Sequence, residues 1–209
     1  HAGLEPTARI GAHLVQRQPH QRVNAADVDA AFLERCHETV GKHGDVSKLR
    51  TSHVADGSTL QLPDNCVDIV FSYITLQHCG ADDARSLVGE AMRVTKRGGL
   101  IALNFRTWTP LDAALVTLGG LVRVLWRTPK AAKYMARIRS LTRLGWQANR
   151  LSPDDVLATL GLDLIGTQLR EVTIVHSPRR RVTVSAAGVK KLAVRRVHPS
   201  HWWLVARLA

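Results

Sequence analysis

The sequence has few cysteines. Cys36, Cys66 and Cys79 are the only three in 209 residues, too scattered for a disulfide framework, which points to a reducing, cytoplasmic setting. It also lacks any run of the ~18 consecutive apolar residues that a membrane span needs. No charged-then-apolar leader follows His1, so no signal peptide is expected, and a start at His1 rather than Met reads as a fragment. Internal repeats and low-complexity tracts are absent, and the composition excludes collagen-like and fully disordered chains. The most local absence is of acid: residues 113–150 and 172–209 contain no Asp or Glu.

Each of those two acid-free segments holds eight basic residues, and the rest of the chain carries an excess of acid, which leaves a net charge of +12. The excess predicts contact with an anionic surface, substrate or partner, or else a solvated basic face. At 23.0 kDa and 45% hydrophobic, the chain reads as a single domain over 1–209 with a helical insertion at about 107–150.

Hydrophobic spacing alternates between strand and helix. Arg9–Arg17 reads as a short helix and 21–27 as a strand ending in Asp27. Asp29 can cap a helix whose buried face is Phe32, Leu33, Cys36 and Val40. Leu49–Ala55 is a strand, and Cys66–Phe71 has the β-branched and aromatic content of a buried parallel one. A helix begins at Asp82 and Asp83, carries Ala84, Leu87, Val88, Ala91 and Met92 on one face, and closes with Arg93, Lys96 and Arg97. Gly98-Gly99 then opens a strand over Leu100–Phe105.

Leu111–Trp126 is apolar almost all round but short for a span, and a basic helical stretch follows over Lys130–Arg143. This insertion reads as a pair of packing helices, or as a lid or membrane-surface element. Ser152-Pro153-Asp154-Asp155 opens another helix, with Val156, Leu157 and Leu160 buried and Gly161 at its end. Leu164–Val175, Val182–Ser185, Leu192–Val197 and Trp202–Leu208 read as strands, expected to pair antiparallel because no long helix separates them. The predicted fold is α/β and doubly wound: a Rossmann-like, mostly parallel sheet with antiparallel late strands.

Chemistry-bearing residues fall at strand ends in order: Asp27, then Asp56-Gly57, then Ser72-Tyr73, then Gly98-Gly99. A carboxylate at a strand end offers two acceptor oxygens, enough to hold a ribose diol; a second acid beside glycine can accept from an exocyclic amine. Asp27 and Asp56 are expected to converge on one rim of the sheet.

These residues resemble class I S-adenosylmethionine-dependent methyltransferases of the small-molecule type. The resemblance covers about residues 9–106. It rests on Asp27-Val28-Asp29 before a helix, Val54-Ala55-Asp56-Gly57 with Leu62-Pro63, Val67–Ser72 with Leu76-Gln77-His78, and Glu90–Val94 with Gly98-Gly99-Leu100. Trp202–Ala206 is similar to the family's terminal sheet edge. The family's glycine-rich loop is not matched: Gly3-Leu4-Glu5-Pro6-Thr7-Ala8-Arg9 stands in its place without the paired glycines. The strand before that loop is expected to be missing.

By position, the resemblance implies S-adenosylmethionine as cofactor, with Asp27 and Val28 at the ribose and Asp56 and Gly57 at the adenine. Ser72 and Tyr73 would lie beside the methionine part. His78 would stand near the methyl group as general base, with Tyr73 as the alternative. Ser72-Tyr73-Ile74-Thr75 is not the Asn/Asp-Pro-Pro-aromatic motif of base-amine methylation, and no Pro-Cys nucleophile appears. A small-molecule acceptor, lipid-linked or anionic, is therefore expected rather than nucleic acid, with peripheral membrane contact through 111–143. No metal is expected, because His198, His201 and the other histidines form no ligand cluster. The rival reading is a non-catalytic module of the same fold that binds an anionic partner through Arg179-Arg180-Arg181, Lys190-Lys191 and Arg195-Arg196.

Overall fold

The computed structural model describes residues 22–107, 120, 124, 127–128, 149–161 and 168–209. The helix expected over Arg9–Arg17, the Gly3–Arg9 stretch and most of the 107–150 insertion lie outside these residues. The chain divides into two compact units, 1–66 and 67–209.

In the first unit, β1 (Val23–Asp27) and β2 (Leu49–His53) pair in parallel, in register from Val23↔Leu49 to Asp27↔His53. The connection between them carries α1 (Ala30–His43), as a parallel pair requires. Asp29 caps α1 as expected, its Oδ1 accepting from the amides of Ala31 at 2.9 Å and Phe32 at 3.4 Å. The i, i+3, i+7 residues Leu33, Cys36 and Val40 are buried. Cys36, Val40 and Leu49 form a small core, with Val23, Ala25 and Phe32 partly buried around it.

The second unit is a five-stranded sheet in the order β3-β4-β7-β5-β6. Its strands are β3 (Val67–Ser72), β4 (Thr95–Arg106), β5 (Leu169–His176), β6 (Lys190–Ala193) and β7 (His201–Leu208); its helices are α2 (Thr75–His78), α3 (Ala81–Val94) and α4 (Pro153–Leu160). β3 runs parallel to β4, and β7 runs antiparallel to both β4 and β5. Residues opposite one another share a face, so Ile101, Leu103 and Phe105 stand beside Ala206, Leu204 and Trp202. All six are buried, together with Ala84, Val88 and Ala91 of α3 and Val156, Leu157 and Leu160 of α4. Phe105 and Trp202 stack at 4.6 Å, and Trp202 Nε1 donates to Leu151 O at 3.0 Å, so burying the indole leaves no polar group unpaired. α4 opens with the expected capping box between Ser152 and Asp155, Pro153 in its first turn.

Four sequence expectations are corrected. β3 was expected to be buried, yet Ile69 is 58% and Phe71 53% exposed. It is the end strand of its sheet, and Val70, opposite Ile101, is the residue that packs against the core. α3 stops at Val94 instead of running to Arg97, because Thr95 already pairs with Val67. Gly98 and Gly99 then lie within β4 at a bulge between Thr95 and Leu100. A Cβ on Gly99 would sit 2.9 Å from Asp68 O and 2.8 Å from Lys96 O, so no larger residue fits that approach. Val182–Ser185 is no strand; Val182 and Val184 pack on the core from an irregular loop that Asp154 holds through Ser185 N at 2.8 Å and Ser185 Oγ at 2.9 Å. Finally, β5 and β6 pair in parallel, not antiparallel, from Thr173↔Lys190 to His176↔Ala193. That loop, and not a helix, returns the chain to the start of β5. Among the described residues no helix is long and apolar enough to cross a membrane.

Candidate functional site

In the first unit, Asp27 and Asp56 follow the carboxyl ends of two adjacent parallel strands. Val54 N donates to Asp27 O at 2.9 Å, and the His53 imidazole bonds Val28 O at 3.1 Å, so the ends of β1 and β2 are tied together. Asp27 Oδ1 accepts from Asp29 N at 2.9 Å. That bond orients the carboxylate and leaves Oδ2 without a protein hydrogen bond among the described residues. Val28, beside it, is 56% exposed.

Asp56 is turned partly into its own loop. Its Oδ1 accepts from Ser58 N at 3.0 Å and Thr59 N at 2.9 Å. With the Thr59 hydroxyl, these donors hold the carboxyl far below the usual carboxylate range. Gly57 has a φ of +73° and no atom within 4 Å of where a Cβ would sit. This is a left-handed position where glycine is favoured, with an open side. Below the rim, burial and the negative charge of Asp27 push the Cys36 thiol pKa up, so Cys36 serves packing and not nucleophilic chemistry.

In the second unit, Ser72 ends β3 and Tyr73 follows it. Tyr73 stacks on Trp203 of β7 at 5.6 Å with 4° between planes, and Phe71 meets the same indole at 5.7 Å. Ile74 then adopts a φ of +69°, a strained conformation for a β-branched residue. A buried amide network holds it there. Asn104 Oδ1 accepts from Gln77 Nε2 at 2.6 Å and from Ile74 N at 3.4 Å, and Asn104 Nδ2 donates to Trp202 O at 3.2 Å. Asn149 Nδ2 donates to Leu76 O at 2.6 Å and Cys79 O at 3.0 Å, fastening the far side of α2.

His78 ends α2. Partial burial, and then the charge of Arg106, lower its pKa below the ordinary histidine value. Arg106 stands opposite His201 where β4 ends and β7 begins. Burial, the neighbouring His198 and Arg106 push His201 down to about 4. The His198 and His201 rings lie 5.2 Å apart, and His198 Nδ1 pairs with Ser200 Oγ at 2.8 Å. Both shifts favour the uncharged imidazole, and the Arg106 charge contributes to each. Sequence reasoning named His78 and Tyr73 but missed Arg106, His201, Trp203 and Asn104. The one available signal was Asn104, a polar residue inside the apolar run Leu100–Phe105. Among the described residues no group of three His, Cys, Asp or Glu is placed to hold a metal ion.

Residues 7–103 match the family model described as a methyltransferase domain. Solved structures agree with this. A putative methyltransferase from Bacillus halodurans is 19% identical with a TM-score of 0.51, covering 90% of this chain and 83% of that one. A putative O-methyltransferase from Nostoc punctiforme is 15% identical with a TM-score of 0.53, covering 94% and 48%. An S-adenosylmethionine-dependent methyltransferase from Thermotoga maritima, a possible histamine N-methyltransferase, is 13% identical with a TM-score of 0.50, covering 96% and 77%.

The fold is that of the class I methyltransferases.

Within that fold, the strand ends that carry Asp27 and Asp56 in one unit and Tyr73 and His78 in the other are carboxyl ends, where ligands of open α/β sheets bind. The chain spans about half or less of several structures it matches, 48% of the Nostoc protein among them. No curated protein matches the sequence.

Proposed function

We propose that the chain is an S-adenosylmethionine-dependent methyltransferase of the cytoplasm, acting on a small molecule that is lipid-linked or anionic. The observation that carries this reading is the common rim of Asp27 and Asp56, each following one of two parallel strands tied at their ends. Oδ2 of Asp27 is available to a ribose hydroxyl, and the open side of Gly57 leaves room for a flat ring. Both features fit a nucleoside. In the first unit Val28 and Asp56, and in the second Ser72 and Tyr73, are the further cofactor contacts that the resemblance implies. When bound, the cofactor supplies a methyl group on a sulfonium, an electrophile that needs no covalent help from the protein.

The chain's own residues then have two tasks. The amide network of Asn104, Gln77 and Asn149 fixes the backbone from Ile74 to Cys79, and alignment supplies most of the rate in a displacement of this kind. His78, at the end of α2, is the proposed base that takes the proton from a hydroxyl or ammonium group as the acceptor becomes the nucleophile. In this reading the apolar and basic sequence over 111–143 touches a membrane surface and gives access to the acceptor.

Calorimetric titration with S-adenosylhomocysteine tests the proposal. Binding is expected, and Asp27→Ala should weaken it at least about tenfold, because a hydrogen bond to a charged group is lost. Absence of heat at millimolar ligand would overturn the reading and favour the rival, a non-catalytic module that grips an anionic partner.

A further inference from the structure

The second unit gathers charge at a place the methyltransferase reading does not use. The β5 strand ends at His176, and Ser177 follows, buried. Arg179 N donates to Ser177 Oγ at 3.3 Å and Arg180 N to Ser177 O at 3.1 Å, which fixes the turn carrying Arg179, Arg180 and Arg181. The neighbouring strand β6 ends at Ala193, opposite His176. Val194 N donates to His176 O at 2.8 Å, and Val197 N to Val194 O at 3.2 Å, which closes a second turn around Arg195 and Arg196. Val194 and His176, 18 apart in sequence, thus join the two turns through one pair of backbone groups. Arg179, Arg181, Arg195 and Arg196 are exposed and Arg180 is half-buried.

Two carboxylates of this unit are already committed. Glu171 pairs with Lys190 at 2.7 Å near the other end of β6, and Asp154 holds Ser185. No acid occurs from 172 to 209. Five guanidinium groups on two fixed turns repel one another, so a surface of negative charge lowers their free energy without first ordering the chain.

We propose that these two arginine turns are a docking surface for the phosphate headgroups of an anionic lipid bilayer. It goes beyond the methyltransferase reading and rests on it only in that a bilayer would present a lipid-linked acceptor. Charge complementarity is the first argument. The second is the lack of any Phe, Trp or Tyr between 177 and 200, which leaves no stacking platform for single-stranded nucleic acid. The turns also offer no helix or ribbon to enter a duplex groove, and the side chain of Leu192 beside them is exposed. Thirdly, Thr107 N donates to Ser200 O at 2.9 Å. Thr107, which follows the last residue of β4, is thereby held at this same end of the sheet.

Flotation of the full chain with vesicles tests the surface. Vesicles of phosphatidylcholine containing about a third phosphatidylglycerol should carry the protein upward, and binding should fall steeply between about 50 and about 500 mM salt. The double variant Arg195→Glu/Arg196→Glu should lose at least about 25-fold in partition, from about fivefold per arginine. Arg22→Glu/Arg50→Glu, an equal charge change on the first unit, should lose much less. Circular dichroism melts establish that both variants fold. Equal binding to pure phosphatidylcholine, no binding to either vesicle, or equal losses in the two variants would overturn the proposal. So would a DNA or RNA duplex that displaces the vesicles at matched phosphate concentration, pointing to nucleic acid instead. S-adenosylhomocysteine titration separates the two readings: heat retained without vesicle binding sinks the docking surface alone, and vesicle binding without heat sinks the enzyme alone.

Discussion

The two units solve the same packing problem with different resources. Among the described residues, the first closes α1 over two strands, and its core is Cys36, Val40 and Leu49. The second closes α3 and α4 over five strands and buries two large rings, Phe105 and Trp202, at its centre. Their polar logic differs as well. In the first unit, carboxylates at exposed strand ends accept from their own following amides. In the second, buried side-chain amides cross between elements far apart in sequence. A local bond needs only its own turn, whereas a cross-element bond forms only with the whole sheet. The contrast teaches that in the first unit the proposed ligand groups depend on turn chemistry, and in the second on the core.

Substitutions can break this contrast. The largest effect is expected from Trp202→Ala, which empties the centre of the second core and strands Leu151 O; a loss of about 3–5 kcal/mol is expected in urea unfolding. Asn104→Ala should cost about 2–3 kcal/mol by leaving the Gln77 side chain and Trp202 O unpaired. It should also free Ile74, lowering kcat more than it raises KM. Val40→Ala in the first unit should cost about 2 kcal/mol. If its loss equalled that of Trp202→Ala, the difference in core strength would be void.

Titration sharpens the same comparison. His201 has a folded pKa near 4 against 6.5 in the unfolded chain. Between those values the unfolded state binds more protons. The stability that His201 contributes is therefore full above about pH 6.5 and is lost as pH falls toward 4. Discounted for its partial exposure, the effect is about 1 kcal/mol. A melting temperature that falls by about 1–3 °C from pH 7 to pH 5, with the fall reduced in His201→Asn, is the expected result. The smallest changes belong to the helix caps. Asp29→Ala and Ser152→Ala should each cost about 1 kcal/mol, one in each unit. A much larger cost for either would show that its helix lacks the packing described here.

How much of this was legible in the sequence depended on distance along the chain. α1, α3 and α4 were readable because caps and buried faces repeat within one or two turns. Asp29, Ser152 and the Leu33-Cys36-Val40 spacing are local facts. The parallel return of β6 onto β5 was not readable, since the loop over 177–189 has no helical period to announce a crossover. Nor was the exposure of Ile69 and Phe71, because the composition of a strand does not say whether it ends a sheet. Asp27, Asp56 and Tyr73 were named by their order at strand ends, and His78 by the family resemblance. Arg106 and His201 meet only through β4–β7 pairing, and Asn104 meets Gln77 and Trp202 only in the finished core. No window of the sequence contains those partners together.

The place of β7 carries one further consequence. Residues 201–208 supply the middle strand of their sheet, lying between β4 and β5. A chain emerging from the ribosome can therefore hold β3, β4, β5 and β6 and still have a gap where two halves should join. During that interval the Phe105 and Ile174 side chains lack their neighbour, and chaperones have apolar surface to hold. Trp202, Leu204 and Ala206 are the buried residues that fill that gap.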